Sequence, residues 1–557
     1  MSLILVITTL SALVCISNAA NNDNPVVHTS LGSIRGSLMS TRLNKTIFAF
    51  RGVRYGKSTE GQRRFKQAEP VESWTNVFDA SEEGPSCPLS AVPRLTSEDC
   101  LRLNVYTTKL PDSKNKVKRP VIVFLHPGGF YGYSGQSYVF GPQYLLDKDV
   151  VLVTINYRLH TLGFISTGDA RAPSNLGLKD QVVALRWLQK HIASFGGDPN
   201  SVTLTGYSSG AWSISLHLLS PMSKNLFHRV VVMSGAAGVG QMLLPTEQKG
   251  LIDKHARLVG CPTTGSLDDS IECLKNVPHQ VLSNATLKFA EWYDDPLLIW
   301  SPVVEPEVPG VERFISDQPA KLIKQKKIYQ VPVIAGITKD EWVGITPRAL
   351  EQAMKGDHTI FRNFTDNWEY AAPICFGYER NTEHSRYISG ELNKFYFNSE
   401  PITLKNGRNL GVLYAEGISF STQRFAKLMA KYSRAPVYNY QFVYQGRYSF
   451  NIWNVTNKPY GVMHHDDLQY LFFMWFMFPM IKENDPEARM IDKMTEMWYS
   501  FAKTGEPVPK NNQLFKGVTW KTLTPDEQNY LEIGDEWRLK TNMIPERYAL
   551  YDRLFPI

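Results

Sequence analysis

Apolar residues recur along the chain in short runs that are rich in β-branched side chains. The clearest runs span residues 120–126, 150–159, 201–207, 229–235, 331–337 and 437–444. Several are apolar at consecutive positions, which is typical of strands buried on both faces of a parallel sheet. Between them, residues 178–195 place apolar side chains at helical spacing, and Gly196 and Gly197 end that pattern. Strands that alternate with helices predict an α/β fold, with a mostly parallel central sheet flanked by helices on both faces.

The composition indicates one large globular domain. Of the 557 residues, 43% are hydrophobic and 20% are charged, which is enough to bury a large core. No linker rich in Pro, Gly or Ser divides the chain. The net charge of +7 is small for this length, and the basic runs at 114–119 and 324–327 fit solvated surface. We therefore expect no nucleic-acid partner.

The first 20 residues are typical of a secretory signal peptide. They carry no charged side chain, and their apolar run ends in small residues, with Ser17 and Ala19 where a signal peptidase prefers them. The run is shorter than the about 20 apolar residues that a membrane span needs. We expect residues 1–19 to be removed, residues 20–557 to form the domain, and the chain to be secreted without a membrane span.

The cysteines fit an oxidising compartment. Cys15 would leave with the signal peptide, and five cysteines cannot all pair within one chain. Two pairs are close in sequence, Cys87 with Cys100 and Cys261 with Cys273, while Cys375 is isolated. N-glycosylation sequons begin at Asn44, Asn284, Asn363 and Asn454.

A candidate nucleophile lies in residues 206–210, Gly-Tyr-Ser-Ser-Gly, between a strand-like run and a stretch that can be helical. A serine needs an exposed oxygen and a neighbouring base, and a tight strand-to-helix turn flanked by glycines gives that exposure. Only Ser208 has glycines at both minus two and plus two. The pattern therefore predicts Ser208 as the nucleophile, with the backbone N–H of Ser209 directed at the oxyanion.

A second glycine turn follows the strand at 120–124, in "FLHPGGFYG". Backbone N–H groups aimed at a developing oxyanion lower the barrier to acyl transfer, and glycines can present them without a side chain in the way. Gly128 and Gly129 are the candidate donors.

With these motifs in place, the chain resembles the type-B carboxylesterase/cholinesterase family of α/β-hydrolases. The matching segments are "EDCLRLNVYT" (98–107), the "HPGGF" turn, "INYRLHTLGF" (155–164), "NLGLKDQVVALRW" (175–187), "FGGDPNSVTLTGYSSG" (195–210) and "FAKTGEPVPK" (501–510). The resemblance runs from about residue 26 to the C-terminus. It implies the α/β-hydrolase fold and hydrolysis of small-molecule carboxylic esters without a metal or cofactor.

The resemblance also implies the rest of a catalytic triad. The family's acid falls in "GITKDEW" (336–342), which gives Glu341, with Asp340 as the alternative. The base falls in "GVMHHDD" (461–467), which gives His464. Trp342 and His465 stand where members usually have glycine. The oxyanion donors map to Gly128, Gly129 and Ser209, and the disulfides to Cys87–Cys100 and Cys261–Cys273.

Two differences from cholinesterases argue against a choline ester as the substrate. Cholinesterases hold a quaternary ammonium group on an aromatic face, and the loop between Cys87 and Cys100 has no aromatic residue. They also have glutamate where Tyr207 stands. The chain is most similar to secreted insect carboxylesterases, venom types among them. Phe130, Phe472 and Trp475 are candidates either for the substrate gorge or for the core.

Two alternatives remain open. One is a non-catalytic adhesion or binding protein with the same fold, although such relatives typically lack a triad member and this chain keeps all three. The other is a juvenile hormone esterase or another specialised ester hydrolase, in which glutamine usually replaces Tyr207.

Overall fold

The sheet that the apolar runs predict is present, and it is larger than they indicate. The computed structural model describes residues 24–90, 96–112, 118–454 and 457–557. The strands in these ranges are β1 (Val26–Thr29), β2 (Gly32–Arg35), β3 (Ser37–Ser40), β4 (Thr46–Arg54), β5 (Phe78–Asp79), β6 (Arg102–Thr107), β7 (Arg119–Leu125), β8 (Val151–Ile155), β9 (Gly197–Tyr207), β10 (Arg229–Met233), β11 (Val333–Thr338), β12 (Val437–Phe442), β13 (Asn529–Ile533) and β14 (Trp537–Thr541). Eleven of them form one sheet in the order β14-β13-β12-β11-β10-β9-β7-β8-β6-β4-β3. The other three, β1, β2 and β5, form a small separate sheet.

The centre of the large sheet is parallel, as predicted. Adjacent strands run parallel from β8 through β7, β9, β10, β11 and β12 to β13, and antiparallel pairs occur at both edges. Val121 and Val123 of β7 join one hydrophobic cluster, whereas Ile122 and Phe124 join the cluster on the opposite face. Burial on both faces explains why this strand is apolar at every position from Val121 to Leu125.

Helices cover the sheet on both faces. In the described ranges they are α1 (His160–Phe164), α2 (Leu176–His191), α3 (Ser209–His217), α4 (Lys249–Leu258), α5 (Leu267–Asn276), α6 (His279–Ala285), α7 (Pro319–Lys324), α8 (Thr346–Met354), α9 (Thr359–Asp366), α10 (Trp368–Phe376), α11 (Glu383–Phe397), α12 (Arg408–Tyr432), α13 (Ala488–Thr504) and α14 (Pro545–Leu554). The helix predicted at 178–195 is α2 followed by a 3-10 turn. Gly196 ends that turn at φ 82°, and Gly197 already begins β9.

Helices α8 to α12 and α14 enclose a third hydrophobic cluster. Its members include Trp342, which follows the carboxyl end of β11. In parallel α/β sheets, ligand sites lie outside the carboxyl ends of the strands. This helical layer therefore borders the edge of the sheet where a site is expected.

The predicted strand at 150–159 ends early, at Ile155, because the following residues turn toward α2. The guanidinium of Arg158 donates to both carboxylate oxygens of Asp180, each at 2.7 Å, and both side chains are buried. The Arg158 N–H donates to the same carboxylate at 3.1 Å. This buried ion pair fixes the end of β8 against α2.

Two disulfides are present, Cys87–Cys100 and Cys261–Cys273, as the resemblance implied, and Cys375 is a free thiol. Of the sequon asparagines, Asn44 and Asn284 are exposed. The side-chain amide of Asn363 donates to the Tyr293 hydroxyl at 2.7 Å, and that of Asn454 donates to Glu351 at 2.6 Å. The predicted signal peptide, residues 1–19, lies outside the described residues.

Loss of the buried carboxylate should destabilise the fold strongly. Asp180→Ala leaves the Arg158 guanidinium buried and unpaired, so we expect the free energy of unfolding to fall by about 3–5 kcal/mol. The measurement is the urea midpoint of unfolding, followed by fluorescence. Glu536→Ala is the control, because the Arg538–Glu536 pair is exposed and should contribute little. Equal losses in the two variants would contradict this account of the buried pair.

Candidate active site

Ser208 occupies a sharp turn between β9 and α3. Its backbone has φ 54° and ψ −119°, a conformation that L-residues rarely adopt. Its N–H donates to the carbonyl of Met233 at the end of β10, at 2.9 Å. The turn therefore holds Ser208 at the carboxyl edge of the sheet, where its side chain is partly exposed.

The two flanking glycines are sterically required at this turn. A Cβ on Gly210 would lie 2.1 Å from the carbonyl oxygen of Leu125, and one on Gly206 would lie 2.7 Å from the backbone of Gly210. Real Cβ atoms are essentially never found this close to backbone atoms. Gly206 and Gly210 thus let α3 approach β9 and β7, as the sequence motif predicted. Ser209, the other candidate serine, is buried.

His464 and Glu341 are in direct contact. The Nδ1 of His464 lies 2.6 Å from Oε2 of Glu341, and both side chains are buried. Glu341 follows β11 at φ 51°, and its Oε1 accepts the Thr338 N–H at 2.6 Å as well as the Ser234 hydroxyl. The alternative acid, Asp340, instead accepts the Val462 N–H at 2.8 Å.

Burial shifts both members of this pair away from their charged forms. It raises the pKa of the Glu341 carboxyl, although hydrogen bonds from Ser234 and Thr338 oppose that rise. It also lowers the pKa of the His464 imidazole. A proton on Nδ1 satisfies the bond to Glu341 and leaves Nε2 free to accept another proton. The arrangement suits a general base at neutral pH.

Ser208, His464 and the glycine turn open onto one cavity of about 900 Å³. Gly128, Gly129 and Ser209 line the same cavity. Gly128 has φ 114°, and a Cβ there would lie 2.2 Å from the Gly132 carbonyl oxygen, so the turn needs glycine at this position. The structure therefore brings together every residue that the sequence predicted for the triad and the oxyanion site.

The rest of the cavity wall is mostly apolar and aromatic. It includes Trp212, Phe289, Leu298, Trp342, Phe376 and Leu413. Of the three aromatic candidates, Phe130 lines the cavity, Phe472 belongs to the core, and Trp475 is exposed and is not part of the cavity wall. In the described ranges, no group of three or more His, Cys, Asp or Glu residues could hold a metal ion.

The two unusual residues at glycine positions are accommodated differently. His465 takes φ 80°, a left-handed conformation that glycine adopts more readily. Trp342 finds room because α12 carries Gly411 opposite it, where a Cβ would lie 2.5 Å from the indole ring. The Arg408 guanidinium lies over the same ring, 4.8 Å from its centroid.

Sequence reasoning missed Ser234, whose hydroxyl donates to the carboxylate of Glu341. Ser234 follows β10 directly, at φ 52°. Its position after a strand of the predicted parallel sheet was the one available signal, because the carboxyl ends of parallel strands meet at one edge.

Comparisons with known proteins identify the family of the chain. A family model described as "Carboxylesterase family" matches residues 23–551. Esterase E4 of Myzus persicae is 34% identical over 92% of this chain and 92% of its own length. A carboxylic ester hydrolase of Bombus ignitus is 33% identical over 93% of this chain and 92% of its own length.

Among solved structures, juvenile hormone esterase from Manduca sexta, with OTFP covalently attached, superposes with a TM-score of 0.83 at 28% identity. The match covers 96% of this chain and all of the other. The chain therefore belongs to the carboxylesterase family, and it is a carboxylesterase with the α/β-hydrolase fold.

Proposed function

We propose that the protein is a secreted serine carboxylesterase that uses Ser208, His464 and Glu341 as its catalytic triad. His464 Nε2 takes the proton from Ser208 as its oxygen attacks the ester carbonyl carbon. The N–H groups of Gly128, Gly129 and Ser209 bind the oxyanion of the tetrahedral intermediate. His464 then protonates the departing alcohol, and the acyl group remains on Ser208.

Water completes the cycle by the same steps. His464 accepts a proton from water as the water oxygen attacks the acyl carbon, and the second tetrahedral intermediate releases the acid and restores the Ser208 hydroxyl. Glu341 orients the imidazole and stabilises its transient positive charge. The observation that carries this proposal is the bond between His464 and Glu341, with His464, Ser208 and all three oxyanion candidates lining the same cavity.

The cavity favours esters with a bulky apolar group. Its volume of about 900 Å³ and its aromatic wall suit a general carboxylesterase. Hydrolysis of a juvenile hormone is a second candidate, because the matched Manduca sexta structure is a juvenile hormone esterase. A turnover panel of esters graded in acyl and alcohol size separates a broad from a narrow specificity. The venom type stays a prediction.

Secretion is proposed from the charge-free apolar run at residues 1–19 and from the two disulfides, which persist in oxidising compartments. Among the described residues, none of the helices has the length and apolar character to cross a membrane. The four sequons are proposed glycosylation sites.

Removal of the nucleophile should abolish turnover. Ser208→Ala should lower kcat for a p-nitrophenyl ester by a factor on the order of 10⁶, because the acyl group then has no oxygen to bind. The control is Ser201→Ala, which changes a serine on the same strand outside the cavity wall. Most of the wild-type turnover in folded Ser208→Ala would refute the assignment.

The two adjacent histidines should behave differently. His464→Gln should lose activity to a similar extent as Ser208→Ala, since glutamine cannot accept the proton. His465→Gln should keep most of it, because the imidazole bonded to Glu341 is that of His464. The check is kcat/KM for one ester in both variants. The reverse result would exchange the two roles, and two active variants would refute the triad.

The pH dependence should follow the His464 imidazole. Serine attack needs neutral His464, so kcat/KM should fall as the pH drops through the pKa of this group. Burial lowers that pKa from its ordinary value of 6.5, whereas a negative charge on Glu341 would act in the opposite direction. We expect a one-proton acidic limb with an apparent pKa below 6.5. A limb above pH 6.5 would show that the carboxylate outweighs burial.

A further inference from the structure

Tyr207 precedes the candidate nucleophile and is fully buried beneath the site. It is the last residue of β9, and its side chain does not line the cavity. Its aromatic ring lies between the turn and the loop that carries the histidines, 5.0 Å by ring centroids from both His464 and His465. The proposed chemistry assigns no task to this side chain.

The Tyr207 hydroxyl bonds to the main chain of the histidine loop. The His465 N–H donates to its oxygen at 2.8 Å. His465 has φ 80°, a conformation that costs a residue with a side chain more than it costs glycine. The bond therefore holds a strained peptide unit next to the general base.

Other bonds fix the loop on either side of this point. The Val462 N–H donates to Asp340, and the Met463 N–H donates to Asp466, both at 2.8 Å. Asp466 also accepts the Phe450 N–H at 2.9 Å. Glu341 holds the ring of His464 but not its main chain. At the histidine pair itself, the main chain is therefore tied to the strand that carries the nucleophile through Tyr207.

The hydroxyl belongs to a small buried polar group. Asp467 is buried, and its carboxylate accepts the Tyr440 hydroxyl at 3.0 Å. Burial raises the pKa of Asp467 to about 7, and hydrogen bonding with Tyr440 and Tyr207 opposes the rise. Phenylalanine at position 207 would fill the same space but would leave the His465 N–H without this acceptor.

We propose that Tyr207 is a positioning residue, whose hydroxyl sets the distance between the His464 imidazole and Ser208 by holding the His465 main chain. The inference rests on the proposed triad. Tyr207, which precedes Ser208 in the chain, thus also positions His464, so the nucleophile and the base keep their relative position.

The test is Tyr207→Phe in the full-length enzyme, with p-nitrophenyl butyrate as substrate. A displacement of about 1 Å between reacting groups costs about 100-fold in rate, so we expect kcat to fall by about 10- to 100-fold. KM should stay within about twofold, because Tyr207 does not line the cavity.

Tyr144→Phe is the matched control. Tyr144 is also a buried tyrosine whose hydroxyl oxygen accepts a main-chain N–H at 2.8 Å, from Ile481, and it lies outside the cavity wall. A purely structural role for Tyr207 predicts similar stability losses and unchanged kcat in both variants. That result would overturn the proposal, as would a fall in kcat that is as large for Tyr144→Phe.

Amide hydrogen exchange gives a second measurement. In wild-type enzyme, the peptide around residues 461–467 should be protected, and Tyr207→Phe should speed its exchange while Tyr144→Phe does not. If Tyr207→Phe fails to fold, amide exchange in the wild-type enzyme tests the bond between the His465 N–H and the Tyr207 hydroxyl. A His465 amide that exchanges as fast as an unprotected loop amide would contradict that bond. Active Ser208→Ala would refute the triad itself, whereas inactive Ser208→Ala with fully active Tyr207→Phe would refute this inference alone.

Discussion

The contact between Gly210 and the carbonyl oxygen of Leu125 is the constraint on which the site depends. Because Gly210 has no side chain, α3 can begin directly against the end of β7. That approach forces Ser208 into a backbone conformation that would not persist in an unconstrained chain. The paired strands β7, β9 and β10 supply the constraint, and the proposed nucleophile stands clear of the sheet as a result.

The same edge of the sheet collects the other groups. Ser234, Glu341 and the Gly128–Gly129 turn each follow a parallel strand. They lie close together because the carboxyl ends of parallel strands meet at the same edge of the sheet. Burial then determines their chemistry. It disfavours separated charges on Glu341 and His464, and the hydrogen bonds to Glu341 limit that penalty. The cavity above them is large and mostly apolar, which suits substrates with apolar groups.

The sequence predicts those features that depend on local pattern. Strands such as β7 are recognisable because both of their faces are buried, and Ser208 is recognisable because its glycines are required two residues away on each side. The apolar runs do not predict strands such as β3, because β3 lies at the edge of the sheet and alternates between half-buried and exposed positions. Glu341 and His464 came only from resemblance, since 123 residues separate the two partners of their bond.

Contacts between residues that only the tertiary fold brings together could not be predicted from local sequence pattern. The bond from His465 to Tyr207 joins residues 258 apart, and no local sequence pattern near either residue predicts it. The accommodation of Trp342 depends in the same way on Gly411 in a distant helix. Residues at which the chain departs from the family's usual glycines are nevertheless visible in the sequence, and both proved to border the cavity.

In the mechanism that we propose, ester hydrolysis passes through an acyl group on Ser208. The most direct measurement is rapid acid quench during turnover of a slowly deacylating ester, followed by proteolysis and mass spectrometry of the peptide that contains residues 202–213. We expect a burst of released alcohol of about one equivalent per enzyme, together with the acyl mass on Ser208. Steady turnover without a burst, or an acyl group on another residue, would contradict it.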